Sequence, residues 1–374
     1  MSRRPGLIPL LFFAACGGDG DGDGGSAVDV PTFAADIAPI VYSSCSPCHR
    51  PGSTTPFTLL GYDDVRKRQK QIAEVTAQRI MPPWLPSQGD FADDRRLDEA
   101  ELAMLLRWIE AGTPRGDVAV EPPPPSFRSG WQLREPDLIV TTREGLIVPA
   151  AGPDAFRNLV IPIDVDRVRF VEAVEILPDS AAVHHAVLAV DRTREARRLD
   201  ELDPGPGFSG MLLGNAEPPD GHFLGWTPGK RVHRSEPGMA WRLWPGNDLV
   251  LQLHLTPTGR EERVRARIGL YFTAVPTTVI AFPLVLFCDD IDIAAGVTDY
   301  VVRDHFVLPV AAAIHSVYPH AHYLCRQMRA TVTPPGGAAR DLFRIDRWDF
   351  DWQDDYRFRR PIELAAGTRI DFEY

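Results

Sequence analysis

Cys45-Ser-Pro-Cys48-His49 sets two thiols three residues apart with an imidazole directly after them. Two thiols at that spacing can add across the two vinyl groups of a haem, and the histidine that follows is placed to ligate the iron. A redox dithiol of thioredoxin type would carry the same two cysteines, but it needs a βαβ surrounding that the neighbouring residues do not provide. A second chemistry lies in the histidines. Six of the ten fall in three strand-like apolar runs: His184 and His185 in 181–190, His254 in 251–255, and His315, His320 and His322 in 314–323. Imidazoles in apolar runs destabilise a fold unless something pairs with them, and a copper ion would do so. Adjacent residues on a regular strand face opposite sides, so His184 and His185 can share one ion only at a strand end or a twist. Taken alone, that pair reads more simply as one buried and one exposed histidine. His320 and His322, two apart, fall on one face of a strand, which is metal-ligand spacing.

The elements around the cysteines read as helical. Phe33, Ile37, Ile40 and Val41 form one apolar stripe ahead of the motif. Asp98 with Glu101 makes a capping-box pattern, followed by Leu102, Leu105, Leu106 and Ile109 on one face and Gly112 as a stop. Small helical domains with such a motif are c-type cytochromes, and residues 31–117 resemble them from end to end. His49 is the only histidine in that stretch, so a second axial histidine could come only from another domain, and otherwise Met81 or Met104 must serve. Met104 sits inside the amphipathic helix, where methionine is usually core filler. Met81 opens a stiff Met-Pro-Pro-Trp turn late in the domain and is the expected ligand, giving a His/Met haem suited to electron transfer.

Glu121 and the four prolines after it predict a semi-rigid spacer between two independently folded parts. Beyond it, short β-branched runs recur between Pro, Gly and Asp clusters: 138–142, 159–163, 168–176, 183–190, 248–255, 264–272 and 278–287. Their spacing predicts antiparallel sandwiches. An irregular excursion over 191–247 carries His222 and His233, which are expected at the surface.

His184-His185, Leu-Gln-Leu-His254-Leu-Thr-Pro and Pro319-His320-Ala-His322, in that order, resemble the copper type II, ascorbate-dependent monooxygenases, the family of peptidylglycine alpha-hydroxylating monooxygenase and dopamine beta-monooxygenase. The resemblance covers about 136–374 and implies two jelly-roll-like sandwiches, each carrying one copper across a solvent-filled cleft. It implies that His184, His185 and His254 hold the electron-transfer copper and that His320 and His322 hold the oxygen-activating, catalytic one. Three imidazoles accommodate both copper oxidation states, and a thioether beside two imidazoles favours Cu(I). The family's second copper takes a methionine from a later strand; here no methionine follows Met328, and Asp371–Tyr374 reads as mid-strand, so the last sandwich is expected to be incomplete.

Composition narrows the setting. A net charge of -11 and a pI near 5.4 argue against nucleic acid, whose phosphates need a basic face. Met-Ser-Arg-Arg-Pro and the short apolar stretch 6–15 read as a secretory signal, too short to span a bilayer. Phe13-Ala-Ala-Cys16 resembles a lipoprotein cleavage box with Phe in place of the usual Leu, so Cys16 is the expected lipidation site. Asp19, Asp21 and Asp23 mimic the start of an EF-hand loop, but position twelve is Val30 and not a bidentate glutamate, which excludes calcium there. Export would leave Cys288 and Cys325 in an oxidising compartment, where a disulfide between them is expected.

The expected organisation is multidomain: a lipoprotein signal peptide (1–16), a flexible tether (17–30), a small all-α cytochrome c-like haem domain (31–117), a Pro-rich linker (118–135), then all-β tandem jelly-roll-like sandwiches (136–277 and 278–374, the last incomplete). The expected function is a copper-dependent monooxygenase holding heme c and two copper ions, lipid-anchored at the periplasm or cell surface. It would use O2 and a reductant such as ascorbate or a periplasmic electron carrier on a small-molecule or peptide substrate. The alternative is a non-catalytic exported electron-transfer or copper-binding haem protein.

Overall fold

The capping box expected at Asp98 is formed. Its carboxylate accepts the Glu101 N–H at 2.7 Å while Glu101 accepts the Asp98 N–H at 3.0 Å, an arrangement that contributes roughly 1 kcal/mol to a helix. Helix Glu99–Glu110 follows and ends at Ala111, after which Gly112 takes the left-handed conformation that closes a helix at little steric cost. The computed structural model describes residues 30–53, 55–143 and 145–374; Cys16, the leader and the tether lie outside the described residues.

The apolar stripe ahead of the cysteine motif does what its spacing predicts. Phe33–Ile37 runs into helix Ala38–Ser44, and Phe33, Ile37, Ile40 and Val41 are buried against Leu105 and Trp108 of the capped helix. Two further helices, Tyr62–Lys67 and Gln69–Ala77, add Val65 and Ile72 to the same core.

The rest of the chain is mostly β-sheet, and the only later α-helix among the described residues is Glu195–Leu202. An antiparallel sheet runs in the order 208–209, 155–162, 248–255, 183–191, 224–226. A second runs 138–141, 266–273, 169–178, 241–243. Their facing side chains, among them Leu159, Leu188, Leu251 and Leu253 from the first and Val171, Ile176, Ile268 and Leu270 from the second, make one core. This is the layered packing that alternating apolar runs dictate. A third sheet runs 86–88, 340–345, 328–333, 369–373, 303–307, and beside it 312–317 pairs with 356–364.

Four sequence expectations change. Residues 278–287 form no strand: among the described residues the segment joins no sheet and only its first two N–H groups reach the Gly238 carbonyl, Pro283 interrupts it with a residue lacking an N–H, and Ile280, Phe282, Val285 and Phe287 stand exposed. The helices ahead of the Pro-rich stretch keep a core of their own, yet the described chain from Pro31 to Tyr374 forms one compact unit, so the stretch does not hold two parts apart. Trp84 and Phe91, grouped by sequence with the helical domain, pack into the core of the third sheet beside Met328, Tyr356 and Phe358, and Pro86–Gln88 is its edge strand. Cys288 and Cys325 are not joined: each thiol is free, facing the carbonyl of Asp290 in one case and Gln327 in the other. No helix among the described residues is long and apolar enough to cross a membrane.

Candidate metal centres

The neighbouring His184 and His185 share one site because the strand carrying them is bulged. Strand 248–255 pairs with 183–191 so that His254 faces His185 while the next residue, Leu255, faces Val183. His184 is therefore the extra residue of a β-bulge, which bends the strand and re-aims its side chain. The three imidazoles meet through one kind of atom. Nδ1 of His185 lies 3.3 Å from Nδ1 of His184 and 3.3 Å from Nδ1 of His254. A histidine nitrogen sits about 2.0 Å from a first-row metal ion; two such nitrogens at a near-tetrahedral angle are roughly 3.3 Å apart. These residues are the one group of three or more His, Cys, Asp and Glu with metal-ligand spacing among the described residues.

Asp154, which sequence reasoning did not single out, completes the arrangement. Its carboxylate accepts from Nε2 of His254 at 2.8 Å, which fixes the proton on Nε2 and leaves the Nδ1 lone pair facing the other two rings. Phe156 stacks on His254 with ring centres 4.4 Å apart. Asp154 and Phe156 reach the site because strand 155–162 lies beside 248–255 with Ala155 opposite Leu255; no local motif announces them.

Burial pushes the His185 imidazole down to about 3, with His254 and His184 adding to the fall, and burial lowers His184 too. Both rings are neutral near pH 7, the form that ligates metals. The sign of the pH effect follows. Below the ordinary histidine value of about 6.5 the unfolded chain binds protons that these two folded rings refuse, so stability falls with pH. The metal-free chain should show a lower urea midpoint at pH 5 than at pH 7, and an unchanged midpoint would contradict the burial of these rings.

His320 and His322 lie just beyond strand 312–317, in coil and not on the strand face expected for them; Pro319, with no N–H to donate, ends the pairing. Their rings still come together, 5.3 Å apart and perpendicular. Nδ1 of His320 lies 2.6 Å from the Gln353 side-chain oxygen, so that ring presents Nε2. Phe350, from the same loop as Gln353, lies 6.1 Å from the His322 ring and 6.3 Å from the His254 ring. One phenyl ring thus spans the gap between the two histidine groups. Tyr318, its hydroxyl pKa pushed up by burial, stacks on Phe223 and on His320. Both histidines line a cleft of about 2240 Å³. His315 joins neither group and faces Glu236 at 3.8 Å. Of the two histidines expected at the surface, His233 is exposed, with Nε2 2.5 Å from Asp93, and His222 is partly buried in the lining of the cleft, with Nδ1 3.1 Å from the Pro219 carbonyl.

The cysteine motif begins where helix Ala38–Ser44 ends. The His49 N–H donates to the Cys45 carbonyl at 2.9 Å, curling the motif, and the Ser46 hydroxyl pins it to the Leu59 carbonyl at 2.5 Å. Nδ1 of His49 lies 3.3 Å from the Phe57 carbonyl, which orients the ring and leaves Nε2 as the free donor. Burial pushes the Cys45 thiol up to about 12 and raises Cys48 as well. Such thiols are poor thiolate nucleophiles, which counts against the redox-dithiol alternative. The donor set suits a haem with a proximal histidine. Of the two methionines, Met104 packs on the helical core as a filler would, and Met81 is 39% exposed.

No protein-family model matches this chain, and no curated protein matches it, so its function has to be read from these residues and their geometry.

Proposed function

We propose that this chain is an exported copper-dependent monooxygenase of the copper type II, ascorbate-dependent class that hydroxylates a C–H bond with O2, its electrons relayed through a covalently bound c-type haem. The observation that carries the reading is the convergence of three Nδ1 atoms at a strand bulge, with a second histidine pair facing them across Phe350. In this reading residues 31–117 act as a small cytochrome c-like part and the sheets beyond as tandem jelly-roll-like sandwiches. Bound copper would supply one-electron chemistry at the first group and oxygen activation at the second.

The chain's own residues set the conditions. Asp154 holds the His254 tautomer, Gln353 orients His320, and Phe350 and Tyr323, whose rings lie 4.1 Å apart, form an apolar wall beside His322. The open cleft admits a small-molecule or peptide substrate. Cys16 would tether the protein to a bacterial membrane at the periplasm or cell surface, and ascorbate or a periplasmic electron carrier would serve as reductant.

A second reading, a non-catalytic electron-transfer or copper-binding haem protein, is favoured by one feature. No third His, Cys, Asp or Glu completes a group with His320 and His322 among the described residues, and Met328 is buried in the core of the third sheet. Isotope labelling separates the two. The full chain loaded with haem and copper, given ascorbate, 18O2 and a panel of small molecules and peptides, should place one labelled oxygen atom in a product. Copper bound at both histidine groups with no label in any product would favour the second reading.

A further inference from the structure

The turn Trp226–Lys230 belongs to the long excursion between strands, and nothing in its sequence suggests chemistry. Its position does. The carbonyl of Pro228 lies 4.0 Å from the Cys48 sulfur. A Cβ built on Gly229 would fall 2.1 Å from that sulfur, and Gly229 has φ +77°, so both the backbone conformation and the close approach require glycine. On the other side of the turn, Trp226 is the register partner of Ala186, the residue directly after His185. The turn therefore touches the haem motif at one end and the strand of the three-histidine group at the other.

It is also held in place. The Lys230 ammonium lies 3.0 Å from Asp354 and pairs with Asp355, and the Thr227 hydroxyl donates to Asp354 at 3.3 Å. Arg95, from the segment after Phe91, reaches the same Asp354 at 3.9 Å. One buried carboxylate thus ties together the turn, the first part of the chain and the loop carrying Gln353.

Resting on the haem and copper reading above, we propose that Trp226–Lys230 is the contact through which one electron passes from a haem held at Cys45, Cys48 and His49 to a copper held by His184, His185 and His254. Electron tunnelling loses far more in a through-space gap than along bonds or hydrogen bonds. This route has one gap, at the sulfur, followed by three residues of chain and one ladder rung. The exchange is balanced: haem iron goes from ferrous to ferric and copper from Cu(II) to Cu(I), with no bond made or broken, and an external one-electron donor restores the haem. A path toward His320 through Asp354 and Gln353 adds side-chain hydrogen bonds and leaves the strand ladder.

The test uses the full chain matured with haem and given one equivalent of copper, which the three-histidine group takes first. After rapid reduction of the haem under anaerobic conditions, its reoxidation and the loss of the Cu(II) paramagnetic signal should proceed together at a rate independent of protein concentration. Gly229→Val should slow that rate by roughly tenfold or more, equal to about 1.4 kcal/mol in the barrier, with haem still covalently held and the copper spectrum unchanged. Lys230→Met leaves the glycine intact and frees the turn from Asp354 and Asp355; it should slow transfer as well, and Lys230→Arg should restore it. An unchanged rate in both Gly229→Val and Lys230→Met with both centres loaded, or a wild-type rate that rises with protein concentration, overturns the inference and leaves the proposed function intact. Absence of haem or copper from the wild-type chain overturns the proposed function and this inference with it.

Discussion

His254→Ala should remove one of two bound copper ions and leave the other, while His322→Ala should do the converse. Each change takes one imidazole from a group whose members touch one another and not the other group. Nδ1 of His185 sits 3.3 Å from Nδ1 of both His184 and His254 on strands of the first sheet, whereas His320 and His322 sit in coil beyond strand 312–317. Sites without shared ligands behave additively. The two ions should also differ in strength, because three converging imidazoles with a carboxylate behind one of them form a more complete site than two. Asp154→Asn should therefore weaken the first site alone, by about 10-fold to 100-fold. Titration with Cu(I) followed by X-ray absorption checks all three. A single copper per chain, or copper content indifferent to His322→Ala, would remove the second site.

Cys45→Ser together with Cys48→Ser should abolish covalent haem in cells equipped to attach it, and His49→Ala should leave attachment possible but alter the iron's spectrum. The attachment needs both thiols, and the imidazole is already oriented by the Phe57 carbonyl with Nε2 free. Acid-acetone extraction is the measurement: haem should stay with the wild-type protein and pass into the solvent from the double variant. The distal position is tested in the same protein. Met81→Ala should remove a sulfur-to-iron charge-transfer band and Met104→Ala should not, because Met104 already packs on the helical core. The opposite pattern would move the role to Met104.

Local spacing was enough to fix much of this protein. The capping box at Asp98 and Glu101, the stripe from Phe33 to Val41 and the strand 248–255 are written in periodicity and capping, which act over a few residues and survive whatever packs around them. The resemblance carried by the histidine motifs grouped His184, His185 and His254 together, although a regular strand would have turned the first two apart. The bulge that reconciles them is a property of the pairing with 248–255, where His185 and Val183 face consecutive residues. Asp154, Gln353 and Phe350 carry no local signature, and only the folded chain brings them to the histidines. The strand expected at 278–287 failed for the same reason in reverse: its composition suits a sheet, but Pro283 lacks the N–H a ladder needs and among the described residues no strand takes it as a neighbour. The Pro-rich stretch suggested separation, yet Trp84 and Phe91 bury their rings beside Tyr356 and Phe358. Burial of large aromatic rings between distant segments is a non-local gain, and it, rather than the stiffness of a linker, decided how the two parts of this chain meet.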